Sequence, residues 1–327
     1  LEAAPGKRLT RLKAFFKSLC VDRLLESFAS LADPSRLRIF LLVEGRDLAV
    51  GELAQVLEQS QPRVSRHVRI LAEAGLVRRQ KEGAWAFVGR SREDHAEALR
   101  RVVTEVLKGS DPIAPERARI EAVRDARQRA LDRWFAEHAE EWDRLRSLEA
   151  PEAEVEAAIL ALARGHGVGR LLDIGTGTGR MLVLLAPFAS AATGVDRSPE
   201  MLRIARTRLD AAGLAGVEIR QADMTALPMP EHVADTIVIH QVLHFADAPG
   251  GAVREAARVL APGGQLLVID HAAHAEEELR VRFRHTRLGF SDAAIAELFA
   301  DAGLRQGASA RIDGPRIPVS IWQGLKS

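Results

Sequence analysis

Three glycines at alternate positions stand out in the run Leu172-Asp173-Ile174-Gly175-Thr176-Gly177-Thr178-Gly179-Arg180. Lacking Cβ atoms, they let the backbone turn tightly and approach a ligand, and the helix that follows opens with free N–H groups. Twenty-one residues after Gly175, Asp196 closes a second apolar run, where a carboxylate can accept hydrogen bonds from both hydroxyls of a ribose. A second group of residues has a different chemistry. Between Gln61 and Arg90 lie Arg63, Arg66, Arg69, Arg78, Arg79, Lys81 and Arg90 against Glu73 and Glu82, a net of +5 that suits a phosphate-binding face. A solvated helix face followed by a charged hairpin would carry the same charge.

The elements that must position the basic group are legible. Leu53, Val56 and Leu57 have helical spacing within Gly51 to Glu58, and a polar turn follows at Gln59-Ser60. A second helix starts with Ser60 as N-cap and Pro62 in its first turn, runs to about Ala74 and stops at Gly75. Its stripe of Val64, Val68 and Leu71 faces a core and leaves Gln61, Arg63, Ser65, Arg66, His67 and Arg69 mostly outside, as a helix that reads DNA requires. Leu76 to Val88, with Lys81-Glu82-Gly83 at the tip, reads as a hairpin, so the whole is a winged helix-turn-helix.

Ser91 to Lys108 has helical composition, Gly109-Ser110-Asp111-Pro112 breaks it, and a longer helix is expected from about Pro115 to Ser147. Ile120, Val123, Ala130, Leu131, Trp134, Phe135, His138, Trp142 and Leu145 fall near one face of it, as core packing or a dimer seam. From Gly167 onward short apolar runs alternate with helical stretches: Arg170 to Ile174, Ala192 to Val195, Val217 to Gln221, Thr236 to His240 and Gly264 to Ile269. This alternation predicts a parallel α/β sheet covered on both faces. The expected domains are therefore a winged helix-turn-helix over 17–92, a helical connector over 93–150 and an α/β domain over 151–327.

Over residues 25 to 90, Leu31-Ala32-Asp33-Pro34-Ser35-Arg36-Leu37-Arg38-Ile39, Gly51-Glu52-Leu53-Ala54, Ser60-Gln61-Pro62-Arg63-Val64-Ser65-Arg66-His67 and Ala74-Gly75-Leu76-Val77 resemble the ArsR family of bacterial repressors. That resemblance implies a dimer on double-stranded operator DNA, with contacts from Gln61, Ser65, Arg66 and His67; Arg63, Arg69, Arg79 and Lys81 join them on charge. Many members of that family sense metals through a cysteine pair, whose places here are taken by Ala49 and Gly51. With Cys20 the only cysteine, a soft-metal sensor of that type is not expected.

The α/β part resembles the class I S-adenosylmethionine (SAM) dependent methyltransferases, with a Rossmann-like fold. The motifs carrying this are Asp173 to Gly179, Gly194 to Leu202, Gln221-Ala222-Asp223-Met224, Asp235 to Val238 and Arg258 to Gly264. A nicotinamide dinucleotide site would want glycine at 180, where Arg180 stands. The resemblance implies that Asp173, Gly175, Thr176 and Gly177 lie against the methionine part of SAM and that Asp196 holds the ribose. Arg197 would lie beside the adenine, with Met201 in the same motif. Asp223 and the Met224 backbone would read its edge, and His240 would line the far side. His240 and His244 are the candidates for a catalytic base, and Ile317 to Trp322 is the candidate antiparallel last strand. His244, His271, His274 and His285 show no fixed ligand spacing, so no metal site is expected.

The totals set the outer limits. The chain has 327 residues, 47% hydrophobic and 28% charged, with a net charge of +1, which fits globular domains and excludes disorder. Residues 1–90 carry 16 Lys and Arg against 10 Asp and Glu, a net of +6, so the rest of the chain carries −5. One cysteine makes no internal disulfide, no apolar run is long enough to span a membrane, and Leu1 to Lys17 lacks the apolar core of a secretory signal. The expectation is a cytoplasmic homodimer. A single cysteine also argues against arsenite as a methyl acceptor. Arg280, Arg282, Arg284 and Arg287 are offered to an anionic substrate, to DNA or to a second subunit.

The functional expectation is an ArsR-type transcriptional regulator with a SAM-binding methyltransferase domain, DNA binding being modulated by SAM or S-adenosylhomocysteine (SAH). The alternative is an active small-molecule methyltransferase whose winged helix serves dimerisation or autoregulation.

Overall fold

The computed structural model describes residues 22–44, 47–142, 151–314 and 316–327. Cys20 and Leu145 lie outside the described residues. The chain divides into two compact units, one ending at Asp125 and the other starting at Ala126. That boundary falls inside one continuous helix, Ala114–His138, so the expected connector contributes to both units.

In the first unit, residues 22–31 are helical and the helix Pro34–Leu42 follows, capped by Asp33, whose carboxylate accepts from Ser35 N (2.8 Å) and Arg36 N (3.0 Å). The helices Val50–Val56 and Gln61–Glu73 form the helix-turn-helix, and Gly75, at φ +69°, ends the second. A short strand β1 (Leu48–Ala49) pairs antiparallel with β3 (Trp85–Arg90), which pairs antiparallel with β2 (Val77–Glu82). The expected hairpin is thus a three-stranded sheet, and β1 is too short to show any sequence period. Ile39, Phe40, Leu53, Val64, Val68, Leu71, Leu76 and Val88 form the core, and Ile120 joins it from the long helix. The expected helix after the wing spans Asp94–Val106.

The second unit is built on a seven-stranded sheet in the order β6-β5-β4-β7-β8-β10-β9. Here β4 is Gly169–Ile174, β5 Ala189–Asp196, β6 Glu218–Gln221, β7 Ala234–His240, β8 Leu260–His271, β9 Leu304–Ile312 and β10 Val319–Lys326. Strands β4 to β8 run parallel, while β10 is antiparallel to both β8 and β9. This is the expected Rossmann-like class I methyltransferase architecture. Strand β9 was not expected: as the edge strand most of its side chains are exposed, so it shows no apolar run. One face of the sheet buries Leu172, Ile174, Ile237, Ile239, Val268 and Trp322, and the other buries Leu171, Val238, Leu267, Ile269 and Ile321. Alternate residues of single strands supply the two cores, which is why these strands read as continuous apolar runs.

The long helix passes into a 3-10 turn at Ala139–Glu141, and its expected end at Ser147 lies outside the described residues, as do 143–150.

Candidate functional site

The glycine loop connects β4 to the helix Arg180–Leu185, at the carboxyl end of the parallel strands where ligands bind in open α/β sheets. Gly175 has φ +72°, and a Cβ there would lie 2.5 Å from Val242 Cγ2, so this position needs glycine both for conformation and for space. At Gly177 (φ +53°) a Cβ would meet nothing nearer than 4.0 Å, which leaves the loop's outer surface open. Asp173 is buried and accepts from Thr176 Oγ1 at 2.6 Å, tying the strand end to the loop.

Asp196 ends β5 and accepts from Gly177 N (2.8 Å) through Oδ2 and from Ser198 N (2.9 Å) through Oδ1. Each carboxylate oxygen has a second acceptor direction, so a ribose diol can still be held. Burial pushes the Asp196 carboxyl above its ordinary value, against the pull of these backbone N–H groups. Asp223 accepts from Thr225 N (2.8 Å) and Thr225 Oγ1 (2.6 Å) through Oδ1, while Oδ2 meets Arg197 Nη1 at 3.3 Å. Arg197 also lies 3.7 Å from Asp132. Met224 and His240 are half-buried; Met201 is buried in the first turn of the helix Pro199–Ala211, its N–H donating to Ser198 Oγ. The fold thus joins the glycine loop to Asp196 through Gly177 N, and Arg197 to Asp223; these residues fit a nucleoside. When bound, SAM would supply an electrophilic methyl group at this edge of the sheet.

The aromatic residues expected as core or dimer seam lie against this region. Phe135 packs edge-on against Phe245 (4.9 Å) and Trp142 (5.3 Å), and Trp134 against Phe283 (6.2 Å). Trp142 Nε1 stands 4.0 Å from where a Gly177 Cβ would be. Residues 126–142 thus form an aromatic wall beside the cofactor loop, held also by ion pairs Arg127–Asp247 (3.2 Å) and Arg203–Glu140 (3.5 Å). The helical spacing identified the stripe; nothing local says which surface it meets.

Beside this wall, the turn Leu243–Phe245 after β7, the end of β8 and the segment after the helix Glu278–Arg282 bring His244, His271 and His285 together, all buried. One ring nitrogen from each lies within 4.8 Å of the other two. Asp270, also buried, accepts from His244 Nδ1 (2.7 Å), His244 N (3.1 Å) and His271 N (2.7 Å). Burial would raise the Asp270 carboxyl, but these histidines and N–H groups hold it below the ordinary value. Burial, with His244, His271, His274 and Arg280 around it, pushes His285 far below the usual imidazole range. The chain spacing of these histidines is irregular, but the fold brings three of the four together. Of the four arginines in this stretch, Arg280 and Arg287 are buried inside the unit, whereas Arg282 and Arg284 are exposed.

In the first unit Gln61, Arg63, Arg66 and Arg69 are exposed on the second helix, Ser65 is half-buried, and Arg79 and Lys81 are exposed on the wing. His67 corrects the sequence reading. It is 8% exposed, with Nδ1 3.9 Å from Asp33 Oδ1, and both ring nitrogens lack a hydrogen-bond partner among the described residues. Position 67 is three after Val64 and four before Leu71, so the helical period itself places it on the buried face. Burial, aided by Arg36, Arg63 and Arg66, keeps His67 below its ordinary pKa against the pull of Asp33. Arg78 and Arg90, counted in the basic stretch, are engaged by Asp47 (3.0 Å) and by Glu97.

A family model described as methyltransferase domain matches residues 172–268, and one described as helix-turn-helix domain matches residues 31–80. The phosphatidylethanolamine N-methyltransferase of Cereibacter sphaeroides is 38% identical over 149 residues, covering 43% of this chain and 71% of that protein. The chain belongs to the SAM-dependent methyltransferase family. An uncharacterised methyltransferase of Bacillus subtilis, YcgJ, is 32% identical over 122 residues, 37% of this chain and 48% of YcgJ, so the chain spans about half of that relative. The crystal structure of YcgJ has 21% sequence identity, covers 54% of this chain and 99% of that chain, and gives a TM-score of 0.47. The methyltransferase domain is thus joined in one chain to an ArsR-like helix-turn-helix domain. No helix among the described residues is long and apolar enough to cross a membrane.

Proposed function

We propose that this chain is a DNA-binding regulator whose methyltransferase domain binds SAM or SAH, and that occupancy of this site changes its affinity for operator DNA. The observation that carries this reading is the helix Ala114–His138. Its first half is part of the winged-helix unit, and its second half carries the aromatic wall that stands beside the glycine loop. A ligand that moves this wall acts on a helix continuous with the DNA-binding unit. A 100-fold change in DNA affinity requires only about 2.7 kcal/mol of coupling. Gln61, Ser65 and Arg66 would reach the duplex, with Arg63, Arg69, Arg79 and Lys81 on phosphates. The cofactor would be held by Asp173, Gly175, Thr176, Gly177, Asp196, Arg197, Asp223 and Met224, with His240 and Met201 completing the pocket. A homodimer is supported by the exposed Leu24, Leu25 and Phe28 near the start of the described residues and by Val102 and Val106 on the helix Asp94–Val106. In this reading the protein works in the cytoplasm, where its DNA lies.

The test is a fluorescence-anisotropy titration onto the DNA upstream of its own gene, without ligand, with SAM and with SAH, at two salt concentrations. Ligand-dependent affinity supports the regulator. Salt-sensitive binding that ignores both ligands refutes the coupling.

The aromatic wall favours a second reading, an active methyltransferase for a small molecule with an apolar body. Trp134, Phe135, Phe245 and Phe283 would pack that body, in keeping with relatives named for phosphatidylethanolamine and demethylmenaquinone. His240 and His244 are then the candidate bases; Asp270 holds the His244 Nδ1 proton and leaves its Nε2 lone pair to accept one.

A further inference from the structure

We propose that His244, His271 and His285 form a binding site for a divalent transition ion of the zinc class, with Asp270 as the carboxylate that orients it. Three imidazoles converge from three separate elements, all nearly inaccessible to solvent, with their ligand atoms within 4.8 Å of one another. Three histidines with one position left for water or substrate are the donor set of catalytic zinc. Around an ion at about 2.0–2.1 Å from each nitrogen, tetrahedral geometry sets the nitrogens about 3.3–3.4 Å apart, so the cluster must draw in by up to roughly 1.5 Å.

The surrounding hydrogen bonds select the atoms. Asp270 accepts, so His244 Nδ1 carries the proton and its Nε2 presents a lone pair; that atom is buried and has no hydrogen-bond partner among the described residues. A histidine ligand whose other nitrogen donates to a carboxylate is the arrangement that fixes tautomer and ring orientation in metal sites. His285 Nδ1 is likewise buried and lacks a hydrogen-bond partner among the described residues. Its backbone is held in place: Thr286 N and Arg287 N both donate to His244 O at 3.0 Å, and Thr286 Oγ1 donates to Phe245 O at 3.1 Å. Gly289 (φ +75°) closes the segment where a Cβ would sit 2.3 Å from Ala272 O, and Phe290 N donates to His271 O at 2.9 Å. His274 is not a ligand, because its Nδ1 accepts from Glu276 N at 3.1 Å and its Nε2 therefore carries the proton.

His244 Nε2 and His285 Nδ1 are buried away from water without a hydrogen-bond partner among the described residues, a cost that metal coordination offsets. Neutral imidazole suits zinc, cobalt, nickel and copper ions over magnesium or calcium, and no thiol is needed. The site lies at the carboxyl end of β7 and β8, beside the aromatic wall, where an ion could hold an oxygen or nitrogen of a bound small molecule. Coordination would occupy His244 Nε2 and so exclude that atom as a base.

The experiment uses the full chain, purified without a polyhistidine tag, stripped with chelator and titrated with Zn2+ and, separately, Co2+. The expected result is one ion per chain with micromolar or tighter affinity and the intense visible d–d absorption of tetrahedral Co2+. His285→Phe, which keeps volume beside Phe245 and Phe283, and His271→Gln should each abolish that spectrum, while Asp270→Asn should weaken binding by 10- to 100-fold. Retained SAM affinity and circular dichroism report that each variant is folded. Absence of stoichiometric metal in the folded wild-type chain, or a cobalt spectrum unchanged in a folded His285→Phe or His271→Gln chain, overturns the proposal. Because the wild-type titration alone decides it, a variant that fails to fold does not shield it.

Discussion

Replacing Gly175 with alanine tests the reasoning about the cofactor loop. The residue sits at φ +72°, where an L side chain costs about 1–2 kcal/mol, and its new Cβ would lie 2.5 Å and 2.7 Å from the two methyl carbons of Val242. Val242 is β-branched and half-buried, so its methyl groups cannot swing clear freely, and overpacking of this kind costs about 1–3 kcal/mol. Gly175→Ala should therefore destabilise the methyltransferase domain by about 2–5 kcal/mol. Val242→Ala in the same chain should return the steric share but not the conformational share, giving a coupling of about 1–3 kcal/mol in a double-mutant cycle. The assay is urea unfolding followed by tryptophan emission in a Trp85→Phe background. There the remaining tryptophans, Trp134, Trp142 and Trp322, all report on the second unit. A Gly175→Ala chain as stable as its parent, or a cycle with no coupling, would show that Val242 does not press on the loop and would refute the account.

Asp196→Asn should weaken SAM binding by roughly 10- to 100-fold by exchanging charge-assisted for neutral hydrogen bonds to the ribose, with DNA affinity in the absence of ligand unchanged; isothermal titration calorimetry measures it, and equal affinity would remove Asp196 from the site. Arg66→Ala should cost about 1–3 kcal/mol of DNA binding if it reads a base edge, or lower the salt slope by about one if it holds a phosphate; unchanged anisotropy curves at both salts would exclude it from the interface. Arg170 clamps Asp235 through both carboxylate oxygens and holds its pKa down to about 2 from 3.8, so the stabilisation is complete above pH 4 and is lost as pH falls toward 2. The shift corresponds to about 2.4 kcal/mol before screening, and because both side chains are substantially exposed about 1 kcal/mol or less should survive; Asp235→Asn should flatten that part of an acid-unfolding profile.

The parts legible from sequence are those fixed by local rules. The glycine spacing, Asp196 at a strand end, the helix that opens at Gln61-Pro62 and stops at Gly75, and the continuous apolar strands each depend on residues a few positions apart, where steric constraints act within one or two turns. His67 was legible too, because Val64 and Leu71 define its face, but its chemical type drew it toward the solvent side. Strand β9 and the two-residue β1 carry too little period to be read. The histidine cluster and the aromatic wall were decided only by tertiary structure. His244, His271 and His285 meet because β7 and β8 end side by side and a glycine-pinned segment folds back over them. Trp134 meets Phe283, Phe135 meets Phe245 and Trp142 stands beside the glycine loop, whereas a helix stripe records only that it will be buried and not against what. Spacing along the chain encodes each element's own geometry, whereas the meeting of distant side chains depends on sheet order and on where neighbouring strands stop.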